Sequence, residues 1–569
     1  MNSITTGNIQ DSDNRVLDAD FRASSNFFQS DRLLRHFLHR EVSPDAFVYM
    51  YDKLDVLGQE AAGRLSDLAA TADRHTPQLI KRNHHGENID RIDFHPAYWE
   101  MIQMAVRAEI FRVKWYPPLR HRFQEELHRL SFAAGFLFST AEAGVYCPLC
   151  MTDGAARLID RYCLVADKDR LLPFIFTDNA AQLFTGAMFL TEKAGGSDVG
   201  ANRVLAQWET EDYYSLNGEK WFCSNVNAQI IFALARTNAD ISGTAGLSLF
   251  LVEPCLSNGN KNQIEIVRLK DKLGVRSMAS AECIFHNTQG KIVGKEGEGF
   301  KLMADMINLS RIYNSVSAVG LTRRALIESY QFLKYRHTFG KPALSHALIR
   351  LKLWELGAKY AANFYMTMHT IKVLDLADNG HQRAGQLLRL LTPMLKKTTA
   401  ANAVYSIREN MELMGGLGYI EDGIMPRLLR DALVLPIWEG AGNIMTLDML
   451  RATHKSEAIQ IICEDIYDIF YKNEQHELIE THLQPLVRFA RQLQQYQEKD
   501  LIETAASKLF EQLTILYQIA LLLHYNDPQS NIWIKPALDY FRHALRADSL
   551  DLPKLPSIET IENLMGWKI

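Results

Sequence analysis

Residues 212–225 read DYYSLNGEKWFCSN, with aromatic and β-favouring side chains on both sides of Asn217–Gly218. An Asn-Gly pair between such flanks is a strong hairpin signal, so the spacing predicts two strands joined at 217–218. Short β-rich runs follow: QIIFALART (229–237), GLSLFLVEP (246–254), NQIEIVRL (262–269) and ECIFHNT (282–288). Gly, Asn, Ser and Pro separate them. Together they predict a small, mostly antiparallel β domain over residues 186–297.

Outward from this island the period becomes helical. HPAYWEMIQMAVRAEIFRVKW (95–115) and FQEELHRLSFAAGFLFSTAEAGV (123–145) place apolar residues three and four apart. Pro96, Pro117, Pro118 and Pro148 mark helix ends, and the helical reading extends to about residue 185. Residues 300–340, FKLMADMINLSRIYNSVSAVGLTRRALIESYQFLKYRHTFG, predict one long helix closed by Gly340 and Pro342. The helical period then continues through residue 569. Residues 455–569 differ in charge, with 11 Lys and Arg against 17 Asp and Glu. The predicted fold is mainly α with a middle β domain. Its parts are an N-terminal extension (1–70), a helical domain (71–185), the β domain (186–297), a helical domain (298–454) and an acidic helical extension (455–569).

The 569 residues are 47% hydrophobic and 23% charged, ample for a core and ordinary for a globular protein. A formal charge of −5 gives no footprint for a polyanion. MNSITTGNIQDSDN at the start lacks the regions of a signal peptide. The most apolar run, LTILYQIALLLHY from Leu513, is interrupted by Gln518 and too short for a membrane span. A cytoplasmic protein without membrane association is expected. Seven scattered cysteines argue against a disulfide framework. Cys147 and Cys150 form a single CxxC, read as reduced and structural over zinc-binding or thioredoxin-like. His84–His85 has no flanking ligand pattern, and no metal site is expected.

FLTEKAGGSDVG (189–200) offers hydroxyls and approachable backbone N–H groups, which suits a loop holding phosphate or flavin oxygens. It is neither GxGxxG nor a Walker loop. TEKAGGSD, NGEKWFCSN, YRHTFGKP, ELMGGLGY and LLRDALVLPIWEGAGNIM occur in this order and at spacings that resemble the acyl-CoA dehydrogenase family of flavoproteins, over roughly residues 70–452. DFHPAYW, CPLCMT, RLKDKLGVRSMAS and IWEGAGNIM are similar to segments of its AidB-type branch, which carries an added C-terminal helical domain.

The resemblance implies an acyl-CoA dehydrogenase-like fold with FAD between the β domain and a C-terminal four-helix domain. Met188, Leu190, Thr191, Gly196 and Ser197 would line the isoalloxazine and ribityl side. Phe222 would cover one flavin face, with Ser224 hydrogen-bonding near the reactive ring. Arg336 and Phe339, with Glu412, Gly415 and Gly416, would reach the FAD of a neighbouring subunit of a dimer or tetramer. Arg suits a pyrophosphate because its planar fork pairs phosphate oxygens. Ser197, Ser310, Arg311, Trp438 and Gly440 would border the acyl-CoA.

Glu439 matches the family's catalytic base. The implied reaction is α,β-desaturation of an acyl-CoA thioester, Glu439 taking the α-proton and flavin N5 the β-hydride. Electrons would pass to an electron-transfer flavoprotein. The thioester carbonyl would accept hydrogen bonds from the Glu439 backbone N–H and a ribityl hydroxyl, which stabilise the enolate. Some members place the base where Ser310 stands, and serine cannot replace it without a partner base. Ala441 and Asn443 occupy FAD-binding positions where a hydroxyl and Gln are common. Trp438 stands where Tyr is common and Glu412 where Gln is common.

A second reading comes from another class. AidB-type proteins are associated with DNA binding through the C-terminal domain. Such binding needs a basic face, whereas residues 455–569 are net acidic, leaving only a local patch from Arg488, Arg491, Arg542 and Arg546. Nucleic acid is not the expected partner.

Overall fold

The computed structural model describes residues 25–493, 495–546 and 555–565. Residues 1–24 of the expected N-terminal extension lie outside them. The first principal helices are α1 (Arg32–Glu41), α2 (Pro44–Ala62) and α3 (Arg64–Arg74). Asp31 caps α1 by accepting the Leu34 N–H at 2.9 Å, and Ser43 with Pro44 starts α2. The expected boundary at residue 70 falls inside α3.

The helical reading to residue 185 fails at one place. Strands β1 (Gln78–Arg82) and β2 (Asn88–Asp93) form an antiparallel hairpin, turned by Gly86 at φ +83°. The hairpin leans on the β domain: Lys81 Nζ donates to the Ile266 carbonyl at 2.7 Å, and the Ile266 N–H donates to Asp90 at 3.0 Å. Helices resume with α4 (Pro96–Arg107), α5 (Leu127–Ser139) and α6 (Tyr146–Tyr162).

The middle sheet contains β3 (Gly186–Phe189), β4 (Leu205–Thr210), β5 (Tyr213–Ser224), β6 (Ile230–Arg236), β7 (Leu247–Val252), β8 (Ile264–Leu269) and β9 (Ser280–Val293). Its order is β3-β6-β4-β5-β9-β7, with β8 on β9, and β6 also pairs with β7. That last pairing closes the sheet on itself and removes most of its free edge. The predicted hairpin at Asn217–Gly218 is absent, because β5 runs straight through it. The reversal lies at Glu211, φ +47°, where Thr210 faces Tyr213. Gly218 instead sits at φ +136° on a register shift between β5 and β9, so the Asn-Gly pair makes a bulge.

The long helix is α7 (Gly299–Tyr335), followed by α8 (Ala347–Asp378), α9 (Gln382–Leu413), α10 (Met425–Ala432) and α11 (Gly442–Lys455). It ends at Tyr335, ahead of the turn in which Phe339 and Gly340 adopt positive φ. Helix α7 lies between α5 and α6 on one side and α8 and α9 on the other. Burial all round explains why it shows no single apolar stripe.

The extension adds α12 (Ala458–Lys472), α13 (Lys499–His524), α14 (Asn531–Leu545) and α15 (Ile558–Met565). Ile462 and Ile466 are fully buried, with Ile459 and Ile469 packed against the same core. Polar bonds fix the docking. Trp533 Nε1 donates to Tyr365 at 3.0 Å, Trp354 Nε1 to the Pro536 carbonyl at 2.8 Å, and Arg350 to the Pro556 carbonyl at 2.9 Å. Among the described residues no helix is long and apolar enough to cross a membrane.

Because the extension is a core layer, Trp533→Ala should lower stability by about 3–5 kcal/mol, the cost of emptying a buried aromatic site. Chemical denaturation followed by circular dichroism measures this. Deleting residues 455–569 should expose the apolar face of α8 and cause aggregation on gel filtration.

Candidate active site

A cavity of about 1140 Å³ lies where the β domain meets α6, α7, α9 and the segment between α10 and α11. Its β-domain wall carries Met188, Leu190, Thr191, Gly196, Ser197, Phe222 and Ser224. Its helical wall carries Arg311, Trp438, Glu439 and Gly440. The structure thus brings both motif sets to one space.

The loop at 190–203 is held from behind. The buried Glu192 carboxylate accepts the N–H groups of Arg203 and Val204 and pairs at 2.7 Å with the buried Lys220 ammonium. Asn202 Nδ2 donates to the Leu190 carbonyl at 2.7 Å, and the Trp221 N–H donates to the Thr191 carbonyl at 2.9 Å. These bonds leave Thr191, Gly196 and Ser197 facing the cavity. A Cβ on Gly196 would meet only Thr191 Cγ2, at 3.7 Å, so the loop presents open backbone there. Ser224 and Ser280 share a hydrogen bond of 3.0 Å, and the Phe222 ring is half exposed.

Glu439 occupies a strained turn just before α11, with φ +57°, followed by Gly440 at φ +102°. A non-glycine residue in this region costs on the order of 1 kcal/mol and persists only when its surroundings enforce it. Here two cations do so. Arg311 Nε donates to the Glu439 carbonyl at 3.1 Å and Lys396 Nζ donates to the Gly440 carbonyl. Arg311 is itself fixed by Asp448 at 2.6 Å. Burial raises the Glu439 carboxyl above the ordinary range, opposed by the Ser310 hydroxyl and by the charges of Arg311 and Lys396. Burial also pulls Lys396 down to about 8, with Glu439 working the other way. Ser310 does not line the cavity; its hydroxyl also donates to the Ile307 carbonyl at 2.8 Å.

The remaining predicted residues lie elsewhere. Arg336, Phe339, Glu412, Gly415, Gly416, Ala441 and Asn443 are not on the cavity wall of this chain. Phe339 is 96% exposed, and Glu412 pairs with Arg408 at 2.7 Å on the surface. Cys147 and Cys150 lie at the start of α6, where burial pushes Cys147 up to about 12 and raises Cys150 well above the ordinary thiol range. That shift is opposite to the one redox or zinc-binding thiols need. Among the described residues no His, Cys, Asp and Glu group is placed to hold a metal.

Sequence reasoning missed Lys396, Lys272 and Asp431. Lys272 lines the cavity, donates to the Met278 carbonyl at 2.6 Å, and is pulled down to about 8 by burial. Asp431 accepts the Val275 N–H at 2.6 Å and burial pushes it up to about 7. Lys396 could have been found: it sits on the buried face of α9 with Thr392, Thr399 and Ala403, where a lysine needs an acceptor.

A helical domain, a closed sheet and a helical bundle around a cavity with a desolvated carboxyl at Glu439 define a particular class. Residues 297–454 match the acyl-CoA dehydrogenase C-terminal domain, residues 187–288 the acyl-CoA dehydrogenase middle domain, and residues 19–169 the adaptive response protein AidB N-terminal domain. Acyl-CoA dehydrogenase family member 11 of Caenorhabditis elegans is 30% identical over 76% of this chain and 72% of its own. Putative acyl-CoA dehydrogenase AidB of Escherichia coli is 29% identical over 91% of this chain and 92% of its own. The solved structure of C. elegans ACDH-11 in complex with C11-CoA superposes with a TM-score of 0.84, at 25% identity, over 97% of this chain and 95% of that one. The chain belongs to the acyl-CoA dehydrogenase family, in its AidB-type branch. FAD is the cofactor of this family. The lining fits it: a hydroxyl-bearing loop with open backbone at Gly196 and an aromatic ring at Phe222.

A carboxyl raised in the folded state holds its proton to higher pH than the same group in the unfolded chain. Its stabilising contribution is therefore complete below the ordinary glutamate value and is lost as pH rises through the folded value. Glu439→Gln should accordingly raise the melting temperature relative to wild type more at pH 8 than at pH 4.5, as read by thermal unfolding at both pH values.

Proposed function

We propose that this chain is an FAD-dependent acyl-CoA dehydrogenase that desaturates an acyl-CoA between the α and β carbons, with Glu439 as the base. The observation that carries the reading is the cavity itself. It holds the half-buried Glu439 carboxyl, raised by desolvation, on the helical wall and the hydroxyl loop with Phe222 on the β wall.

Bound FAD supplies the hydride acceptor. The protein supplies the rest. Desolvation makes the Glu439 carboxylate a stronger base, while the Ser310 hydroxyl and the charges of Arg311 and Lys396 oppose that rise. Their bonds to the Glu439 and Gly440 carbonyls hold the turn, so the Glu439 N–H stays fixed as a donor to the thioester oxygen. Met188, Leu190, Thr191, Gly196, Ser197, Phe222 and Ser224 hold the cofactor, and Ser197, Arg311, Trp438 and Gly440 border the thioester. Ser310 tunes the carboxylate from behind. Trp438 beside the base narrows the acyl channel.

The exposed Arg336, Phe339, Glu412, Gly415 and Gly416 act across a subunit boundary on a neighbour's FAD. In support, Tyr335, Phe339, Leu417, Tyr419 and Ile420 leave apolar surface around them in the single chain. An electron-transfer flavoprotein is the acceptor in this reading. No observation favours the nucleic-acid reading. Of the four arginines of the candidate patch, Arg542 pairs with Asp539 and Gln475 and Arg546 with Glu477, which leaves Arg488 and Arg491 exposed in a net acidic segment, too small a basic footprint for a polyanion.

Glu439→Gln should keep the yellow colour yet slow reductive bleaching by acyl-CoA at least about a hundredfold. Anaerobic stopped-flow absorbance measures it, and equal rates would place the base elsewhere. Arg336→Ala should weaken FAD retention roughly ten- to a hundredfold while leaving the fold intact. FAD occupancy after dialysis reads this, and occupancy equal to wild type would remove Arg336 from the cofactor site.

A further inference from the structure

The cavity holding Glu439 continues past it toward the junction with the acidic extension, where its wall turns basic. Lys301, Arg389, Arg451 and Lys455 line this end, with Asp305 and Asp448 as the acids among them. Both acids are already used. Asp305 pairs with Arg157 and Arg161 at 2.8 Å each, and Asp448 with Arg311 at 2.6 Å and Arg451 at 3.2 Å. Among the described residues Arg389 and Lys455 form no ion pair, and Lys301 has only a 3.8 Å contact with Glu298. Two cations without an ion pair and a third with only a long one, from three helices, therefore share one cavity wall in a chain whose net charge is −5.

Helix geometry sets their distance from the chemistry. Chain reversals between α7 and α8 and between α8 and α9 put the N-terminal halves of α7 and α9 at the same end of the bundle. Lys301 stands ten residues before Arg311 on α7, about 15 Å at the helical rise. Arg389 stands seven before Lys396 on α9, and Lys455 seven after Asp448 on α11, about 10 Å each. The three helices that carry Arg311, Lys396 and Asp448 around the Glu439 turn thus each carry a cation about 10–15 Å further along. The pantetheine arm of CoA separates its thioester sulfur from its first phosphate by about 15 Å when extended, at the bond spacing of an extended chain. The N-terminus of α7, beside Lys301, adds a positive dipole end.

We propose that Lys301, Arg389 and Lys455 form the anchor for the phosphate groups of the CoA part of the substrate. The inference rests on the acyl-CoA reading above and adds to it a phosphate site built partly from the last turn before the extension. Thioester placement over Glu439 and phosphate capture are then two separate grips on one ligand. Lys455 couples the second to the docking of α12.

The test uses the FAD-loaded full chain, with undecanoyl-CoA and undecanoyl-pantetheine as probes in titration calorimetry. The double variant Arg389→Ala/Lys455→Ala changes two exposed side chains, and Arg389→Lys serves as the charge-conserving control. Wild type should bind the CoA thioester at least about tenfold tighter than the pantetheine thioester, and added salt should erode that margin. The double variant should lose about ten- to a hundredfold for the CoA thioester and stay within about twofold for the pantetheine one. Arg389→Lys should retain most of the affinity. Equal losses for both thioesters, or no loss for either, would overturn the anchor. If wild type binds both thioesters equally, the anchor fails and the acyl-CoA reading stands; if it binds neither, both fail. Salt-sensitive binding of a duplex oligonucleotide, lost in the double variant with undecanoyl-CoA affinity unchanged, would assign these cations to nucleic acid and overturn the inference.

Discussion

The turn at Glu439–Gly440 depends on two hydrogen bonds from cations on separate helices, and much of the architecture serves to deliver those cations. Arg311 comes from α7 and Lys396 from α9, and each reaches a backbone carbonyl of the turn. Neither bond exists until the bundle is assembled. The half-buried Glu439, at positive φ, carries both a desolvation cost and backbone strain. The cations offset the first by charge and the second by geometry. Desolvation raises the basicity of the carboxylate, and the nearby charges of Arg311 and Lys396 limit that rise.

The same bundle explains the extension. Helix α8 is covered by α13, α14 and α15, so it is an interior helix and the extension forms another layer of the core. Trp354, Tyr365 and Trp533 seal that layer with polar bonds as well as area. On the extension Glu477, Asp539 and Gln475 engage Arg542 and Arg546, two of the four arginines of the candidate basic patch. The surplus of positive charge lies instead where the extension joins the bundle, along the continuation of the Glu439 cavity.

Much of this was legible in the sequence, for identifiable reasons. The switch from helical to alternating period marked the middle domain, and the motif around Glu439 marked the carboxylate. Local signals misled where tertiary pairing decided the outcome. Asn217–Gly218 has hairpin chemistry, but β9 pairs across it and converts the glycine's freedom into a bulge. The strands at 78–93 lay beneath a helical reading because only five and six residues carry them, and their support comes from Ile266 in a distant strand. Lys396 sat in plain view as a buried-face lysine, and its acceptor, the Gly440 carbonyl, lies 44 residues away. Such long-range bonds leave no local pattern.

Anaerobic titration of the FAD-loaded protein with acyl-CoAs of graded chain length, watching the visible flavin absorbance, tests the central claim most directly. Bleaching by at least one thioester, approaching one equivalent per bound FAD, is the predicted result. A fully FAD-loaded, folded protein that no acyl-CoA bleaches would contradict the account and leave the clamped carboxylate without the reaction assigned to it.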